Sequence, residues 1–114
     1  MLDNLFANLP PAGSADEQFT ALLSEPGLIV QRIVSTGQCS PPDFWYEQAE
    51  AEWVLLISGE ALLRFEDEAE ARRLKAGTFI DIAPGRRHRI DWTMPDAPTI
   101  WLAIHHPVMP KPAI

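Results

Sequence analysis

From Leu28 onward the chain is cut every few residues by glycine or proline, and the runs between the cuts are short and rich in β-branched and aromatic residues. Leu28–Thr36 ends at Gly37, and Asp43–Gln48 follows Pro41-Pro42. Glu52–Ser58 closes at Gly59, Glu60–Glu66 precedes the turn Asp67-Glu68, and Glu70–Lys75 leads to Gly77. Thr78–Ala83 leads to Pro84-Gly85, Arg87–Trp92 leads to Met94-Pro95-Asp96, and Thr99–His106 ends the series. Such runs cannot hold long helices. Many short strands with regular turns predict an all-β domain, either a sandwich or a barrel.

The first 27 residues read differently. Ser14-Ala15-Asp16-Glu17 has the S-x-x-E spacing of a helix capping box, and Phe19, Leu22 and Leu23 then share one helical face until Pro26 and Gly27 stop the run. The reading is an N-terminal arm with a short helix over residues 1–27, docked on a β-barrel over residues 28–110, because so short a helix is marginal alone. At 114 residues and 46% hydrophobic, the chain suits one domain. No apolar run approaches the ~20 residues of a membrane span, and MLDNLFANLPP lacks the cationic start and apolar core of a signal peptide. A single cysteine, Cys39, closes no disulfide within the chain, and a cytoplasmic location is expected. The net charge of −7 repels phosphate backbones and anionic headgroups, so neither nucleic acid nor membrane is an expected partner.

Side-chain facing follows from the period of two. In Arg87–Trp92, His88, Ile90 and Trp92 share the expected core face, with Arg87, Arg89 and Asp91 opposite. In Glu52–Ser58 both faces are apolar: Val54 and Leu56 accompany Glu52, while Trp53, Leu55 and Ile57 lie opposite. A strand apolar on both faces needs cover outside the barrel, so a homodimer is expected.

Between Gly37 and Trp92 the chain resembles the cupin family. The family's first motif is G-x5-H-x-H-x3,4-E-x6-G, and Glu52 and Gly59 supply its E-x6-G half. The second is G-x5-P-x-G-x2-H-x3-N. Gly77, Gly85 and His88 match it, with Ala83 in the proline position and Trp92 in place of the asparagine. FWYEQ, EWVLLISGEA, HRIDW and WLAIHH are similar to segments of small single-domain cupins. The resemblance implies an RmlC-like antiparallel β-barrel, or jelly roll. It also implies a divalent metal held by two motif-one histidines, the glutamate and the motif-two histidine. Counting back from Glu52 places Tyr46 and Gln48, or Trp45 and Glu47, where those two histidines belong, so the first motif is degenerate.

His88 is the leading candidate, since neutral imidazole is the commonest protein ligand of zinc, iron, nickel and copper. Glu52, on the expected inner face, is either the carboxylate partner of His88 or a second metal ligand, because a buried carboxylate must be paired or bound. Gln48 is the third candidate ligand, or else it hydrogen-bonds a bound organic molecule together with Tyr46. The metal would be manganese, iron, zinc or nickel. His105 and His106 end the last strand. An Ile100, Leu102, Ile104 core row would turn His106 inward, and a Trp101, Ala103 row would select His105. Trp45, Glu47 and Trp92 complete the expected pocket, the tryptophans as an aromatic wall. Two functions follow: a metal-dependent isomerase, lyase or dioxygenase acting on a small molecule, or a metal-free binding or sensing barrel.

Overall fold

The computed structural model describes residues 3–108. Eight antiparallel strands form two sheets: β1 (Gln18–Glu25), β2 (Leu28–Ser35), β3 (Ala51–Ser58), β4 (Glu60–Phe65), β5 (Arg72–Lys75), β6 (Phe79–Ile82), β7 (His88–Thr93) and β8 (Thr99–His106). One sheet has the order β1-β2-β8-β3-β6 and the other β5-β4-β7. Their facing surfaces enclose the core. Val54, Leu56, Ile80, Ile82 and Trp101 come from the larger sheet, and Ala61, Leu63, Phe65 and Leu74 from the smaller. This is the expected all-β jelly roll. The last two residues of the barrel predicted to end at 110, and the first two of the arm, lie outside the described residues.

The chain passes from one sheet to the other at Gly59. Its φ is +94°, and a Cβ there would lie 2.4 Å from Thr99 Oγ1 and 2.7 Å from Thr99 Cα. Only glycine meets both demands, which gives the E-x6-G spacing a structural cause: seven residues carry β3 from Glu52 to the corner.

The expected N-terminal helix does not form; among the described residues there is none. Gln18–Glu25 instead pairs along β2, from Gln18 opposite Val34 to Glu25 opposite Leu28, around the Pro26-Gly27 turn. Both members of the supposed cap are engaged elsewhere. Ser14 Oγ donates to the Pro11 carbonyl at 2.6 Å, and Glu17 accepts from Ser35 Oγ at 2.5 Å. A one-face pattern of three residues is a weak helical preference, and a full ladder of strand hydrogen bonds outweighs it. The preceding segment covers the outer face of β2, where Arg32 is 1% exposed and donates to the Leu5 and Ala7 carbonyls at 3.1 and 2.6 Å.

Asp43–Gln48 is likewise not a strand. It meets the sheet only at Tyr46, which bridges His88. Pro41 and Pro42 have no N–H to give a ladder, and Asp43 has a φ of +64°, incompatible with extended pairing. The loop nonetheless lies along β7. Thr93 Oγ1 donates to the Gln38 carbonyl, Ile90 N–H donates to Ser40 Oγ, and Tyr46 and His88 exchange both backbone bonds. Arg89 clamps it by donating to the carbonyls of Ser40, Pro41 and Phe44.

Candidate functional site

Three strands and one loop bring the principal polar residues together. Across the β3–β8 pairing Glu52 stands opposite His105, so the two side chains leave the same face of the larger sheet. His88 begins β7 on the facing sheet, opposite Phe65. Glu52 therefore lies between two imidazoles: its Oε1 is 3.7 Å from His88 Nε2 and its Oε2 3.8 Å from His105 Nε2. Glu52 and His88 are 7% and 5% exposed, so neither is solvated as a surface group would be.

His88 is oriented by its own turn, since Nδ1 lies 2.9 Å from the Arg86 carbonyl. A carbonyl oxygen can only accept, so Nδ1 carries a proton, and Nε2 is the ring nitrogen turned toward Glu52. At 3.7 Å that contact is too long for a direct hydrogen bond. The Tyr46 ring stacks on the imidazole with centroids 5.6 Å apart. Burial, then the charge of Glu17, then that of Glu52 hold the Tyr46 phenol above its ordinary range. Gln48 Oε1 is buried and has no hydrogen-bond partner among the described residues.

These groups surround one half-open cavity of about 120 Å³ between the sheets. Val54, Ile82 and Trp101 form its apolar wall on one side, Leu63 and Ile90 on the other, and Glu17, Phe19, Gln31 and Ile33 enter from β1 and β2 or just before them. A shallower depression of about 400 Å³ adjoins it, sharing Gln31, Gln48 and His105 and adding Glu50. Among the described residues, no lysine or arginine lines either one. The arginines of the smaller sheet and its turns pair with carboxylates: Arg64 and Arg89 with Asp91, Arg72 and Arg86 with Glu68, Arg73 with Glu60, and Arg87 with Glu66.

Of the residues expected at the site, Glu52, His88, Gln48, Tyr46 and His105 line the cavity, and Trp45, Glu47, Trp92 and His106 do not. Trp92 is displaced by a β-bulge. Leu62 pairs with Trp92 and Leu63 with Ile90, leaving Asp91 as the extra residue, so Thr93 rather than Trp92 falls on the inner face with Ala61. Trp45 stands outside, with the Arg89 and Arg87 guanidinium groups 5.9 and 6.0 Å from its ring. Glu47 is exposed. His106 pairs with Ala51 on the opposite face from Glu52, and its Nδ1 lies 2.8 Å from the Pro107 carbonyl. The inner row of β8 is thus Trp101, Ala103, His105. Glu17 was missed. Its place in an apparent capping box disguised it, and only the pairing of β1 with β2 brings it to the cavity.

In kind, this donor set suits a divalent ion: two imidazoles, one carboxylate and an unpartnered carboxamide oxygen. In placement it is open. Among the described residues no three His, Cys, Asp or Glu side chains converge closely enough to hold a metal as they stand. Adjacent ligands of an ion with bonds of about 2.1 Å lie about 3.0–3.4 Å apart, and the two contacts of Glu52, at 3.7 and 3.8 Å to different carboxylate oxygens, are both longer than that.

No family model matches the chain, and no curated protein matches it. Solved structures do. A Ralstonia eutropha protein provisionally described as a mannose-6-phosphate isomerase is 41% identical, with a TM-score of 0.90, over 95% of this chain and 99% of its own. A cupin superfamily protein of Desulfitobacterium hafniense superposes with a TM-score of 0.71 at 16% identity, over 87% of this chain and 84% of its own. An RmlC-like cupin of Methanocaldococcus jannaschii does so with a TM-score of 0.67 at 18% identity, over 83% and 84% of the two chains. The last two likenesses are of fold alone.

Proposed function

Because the chain belongs to the cupin superfamily, we propose that its cavity is a divalent-metal site at which a small organic molecule is bound and converted, with His88, Glu52 and His105 as ligands and Gln48 as the fourth donor. The observation that carries this is a buried acceptor without a partner: Gln48 Oε1, which makes no hydrogen bond among the described residues, lines the same cavity as the Glu52 carboxylate and the His88 and His105 imidazoles. Buried acceptors in that state cost free energy until a cation or a hydrogen-bond donor reaches them. His105 takes a position outside the family's usual ligand pattern and compensates for the histidines replaced by Tyr46 and Gln48.

When bound, a divalent ion would polarise a carbonyl or hydroxyl oxygen of the small molecule. The protein's own residues do the rest. The Arg86 carbonyl holds His88 in the tautomer whose Nε2 can bind or accept a proton. Tyr46, kept as the neutral phenol by burial and two nearby carboxylates, is a hydrogen-bond donor within the cavity. The apolar walls of Val54, Leu63, Ile82 and Ile90 pack against the hydrocarbon part of the bound molecule. The isomerase description of the Ralstonia neighbour supports a proton-transfer reaction of this kind. The unpaired Cys39 favours a cytoplasmic location for it.

The gaps of 3.7 and 3.8 Å around Glu52 favour a second reading, a metal-free binding barrel in which the same acceptors hold an organic donor. Elemental analysis of the purified protein, followed by manganese, iron, zinc and nickel titration of the chelator-treated protein, separates the two. Stoichiometric metal that is lost on mild chelation and restored by titration is expected. No binding of any of the four ions would leave the metal-free reading.

A further inference from the structure

Glu17 has no role in the ligand set, yet the protein fixes it at the cavity. Trp101 Nε1–H donates to Ser35 Oγ at 3.1 Å, and Ser35 Oγ–H donates to Glu17 Oε2 at 2.5 Å. Ser35 and Trp101 are 0% and 4% exposed, so this relay is part of the packed interior. It ties down one carboxylate oxygen, Oε2, and so holds the charge of Glu17 in place at the cavity lining. The anchor is also built from three separate elements: Trp101 from β8, Ser35 from the end of β2, and Glu17 from the residue before β1. A carboxylate serving only solubility would need no such support.

The surrounding charges give it a purpose. Glu17 and Glu52 line the cavity, Glu50 lines the adjoining depression, and among the described residues no lysine or arginine lines either. A divalent ion at His88, Glu52 and His105 would be offset by the two cavity carboxylates, leaving no net positive charge for a phosphate. The remaining walls are mainly apolar. At about 120 Å³ the cavity is close in size to the roughly 150 Å³ space that accepts benzene in an engineered apolar cavity.

We propose that Glu17 is the specificity-determining residue of this cavity, and that it selects a small, uncharged, largely apolar molecule bearing an O–H or N–H donor and turns away phosphate esters and other anions. The inference rests on the cavity being the small-molecule site proposed above, though not on the metal. It separates this chain from the phosphorylated sugar in its Ralstonia neighbour's description.

The test uses the full chain and two probes that differ only in a phosphate, benzyl alcohol and benzyl phosphate, with mannose 6-phosphate as a third. Affinities are measured by calorimetry or ligand-observed NMR at low ionic strength, and metal content is determined on the same samples. Native protein is expected to bind benzyl alcohol at least tenfold more tightly than either phosphate ester. Glu17→Gln should narrow that gap severalfold from both sides, weakening the alcohol and admitting the ester, with metal content unchanged. Ser35→Ala, a small change at a fully buried position, keeps the charge but removes its anchor, and should weaken benzyl alcohol severalfold. A metal-free sample that still prefers the alcohol shows that the preference needs no metal and supports the role of Glu17, while the metal reading itself stands or falls on the titration. Native protein that binds the esters as well as the alcohol, that binds none of the three probes, or whose preference survives Glu17→Gln overturns the proposal.

Discussion

Glu52 and His105 face each other across the β3–β8 pairing, Oε2 3.8 Å from Nε2, and this register brings the last strand of the barrel into the site. The same pairing sets Val54 against Ala103 and Leu56 against Trp101, so the core row and the polar pair are one continuous face. Slipping β8 by one residue would put His106 beside Glu52 and turn Trp101 out of the core. Core packing therefore determines which histidine serves the site.

The first expected outcome follows from that register. Glu52→Gln, His88→Ala and His105→Ala should each lower metal affinity at least tenfold, with Gln48→Ala having a smaller effect, as measured by titration of the chelator-treated protein. His106→Ala, on the opposite face, should leave affinity unchanged. Equal losses from His105→Ala and His106→Ala would contradict the assigned face.

Gly59 offers a test of the fold alone. A Cβ at this position would lie 2.7 Å from the Thr99 backbone, and its φ of +94° strains any L side chain. Gly59→Ala should cost about 2–4 kcal/mol by urea denaturation, combining backbone strain with overpacking. Gly85, which also has positive φ but nothing near its missing Cβ, should cost less on the same change.

The pH dependence should be legible at Asp91. Partial burial alone would raise its pKa, but the bonds from Arg64 and Arg89, both 2.7 Å, outweigh it and hold the carboxyl below its ordinary range. Folded lower than unfolded means stability that is present above the unfolded value near 4 and lost as pH falls through the folded one. Urea midpoints measured between about pH 2 and 6 should fall less steeply for Asp91→Asn than for the native chain. Arg89→Ala should also loosen the loop carrying Tyr46, because Arg89 bonds three of its carbonyls.

On the outer face of the larger sheet, Trp53 packs against Phe79 with centroids 5.7 Å apart, and Phe79 is 64% exposed. With Leu55 and Ile57 beside Trp53, this face is expected to be covered by a second copy. Light scattering should give a dimer for the native chain and a monomer for Phe79→Asp. A native monomer would show that the face tolerates water.

By itself the sequence determined seven of the eight strands, β2 to β8, since glycine and proline cut the backbone wherever they stand. Asp43–Gln48 reads as a strand and is a loop, and β1 reads as a helix. The sequence determined that Glu52, Val54 and Leu56 share one face, because alternation within one strand is a local property, but with both faces apolar only the packing of the sheets made that face the inner one. It also marked His88, through the turn that precedes it. Tertiary structure decided the rest. The segment around Phe19 carries a weak helical pattern that became a strand only because β2 offered a ladder. A single bulge at Asp91 reversed the facing of Trp92, and no local pattern announces a bulge. His105 and Glu17 reached the cavity through pairings of β8 with β3 and of β1 with β2, separated along the chain by roughly 50 and 15 residues. Pairing energies of that kind depend on which faces bury together, a choice the chain makes only when it closes.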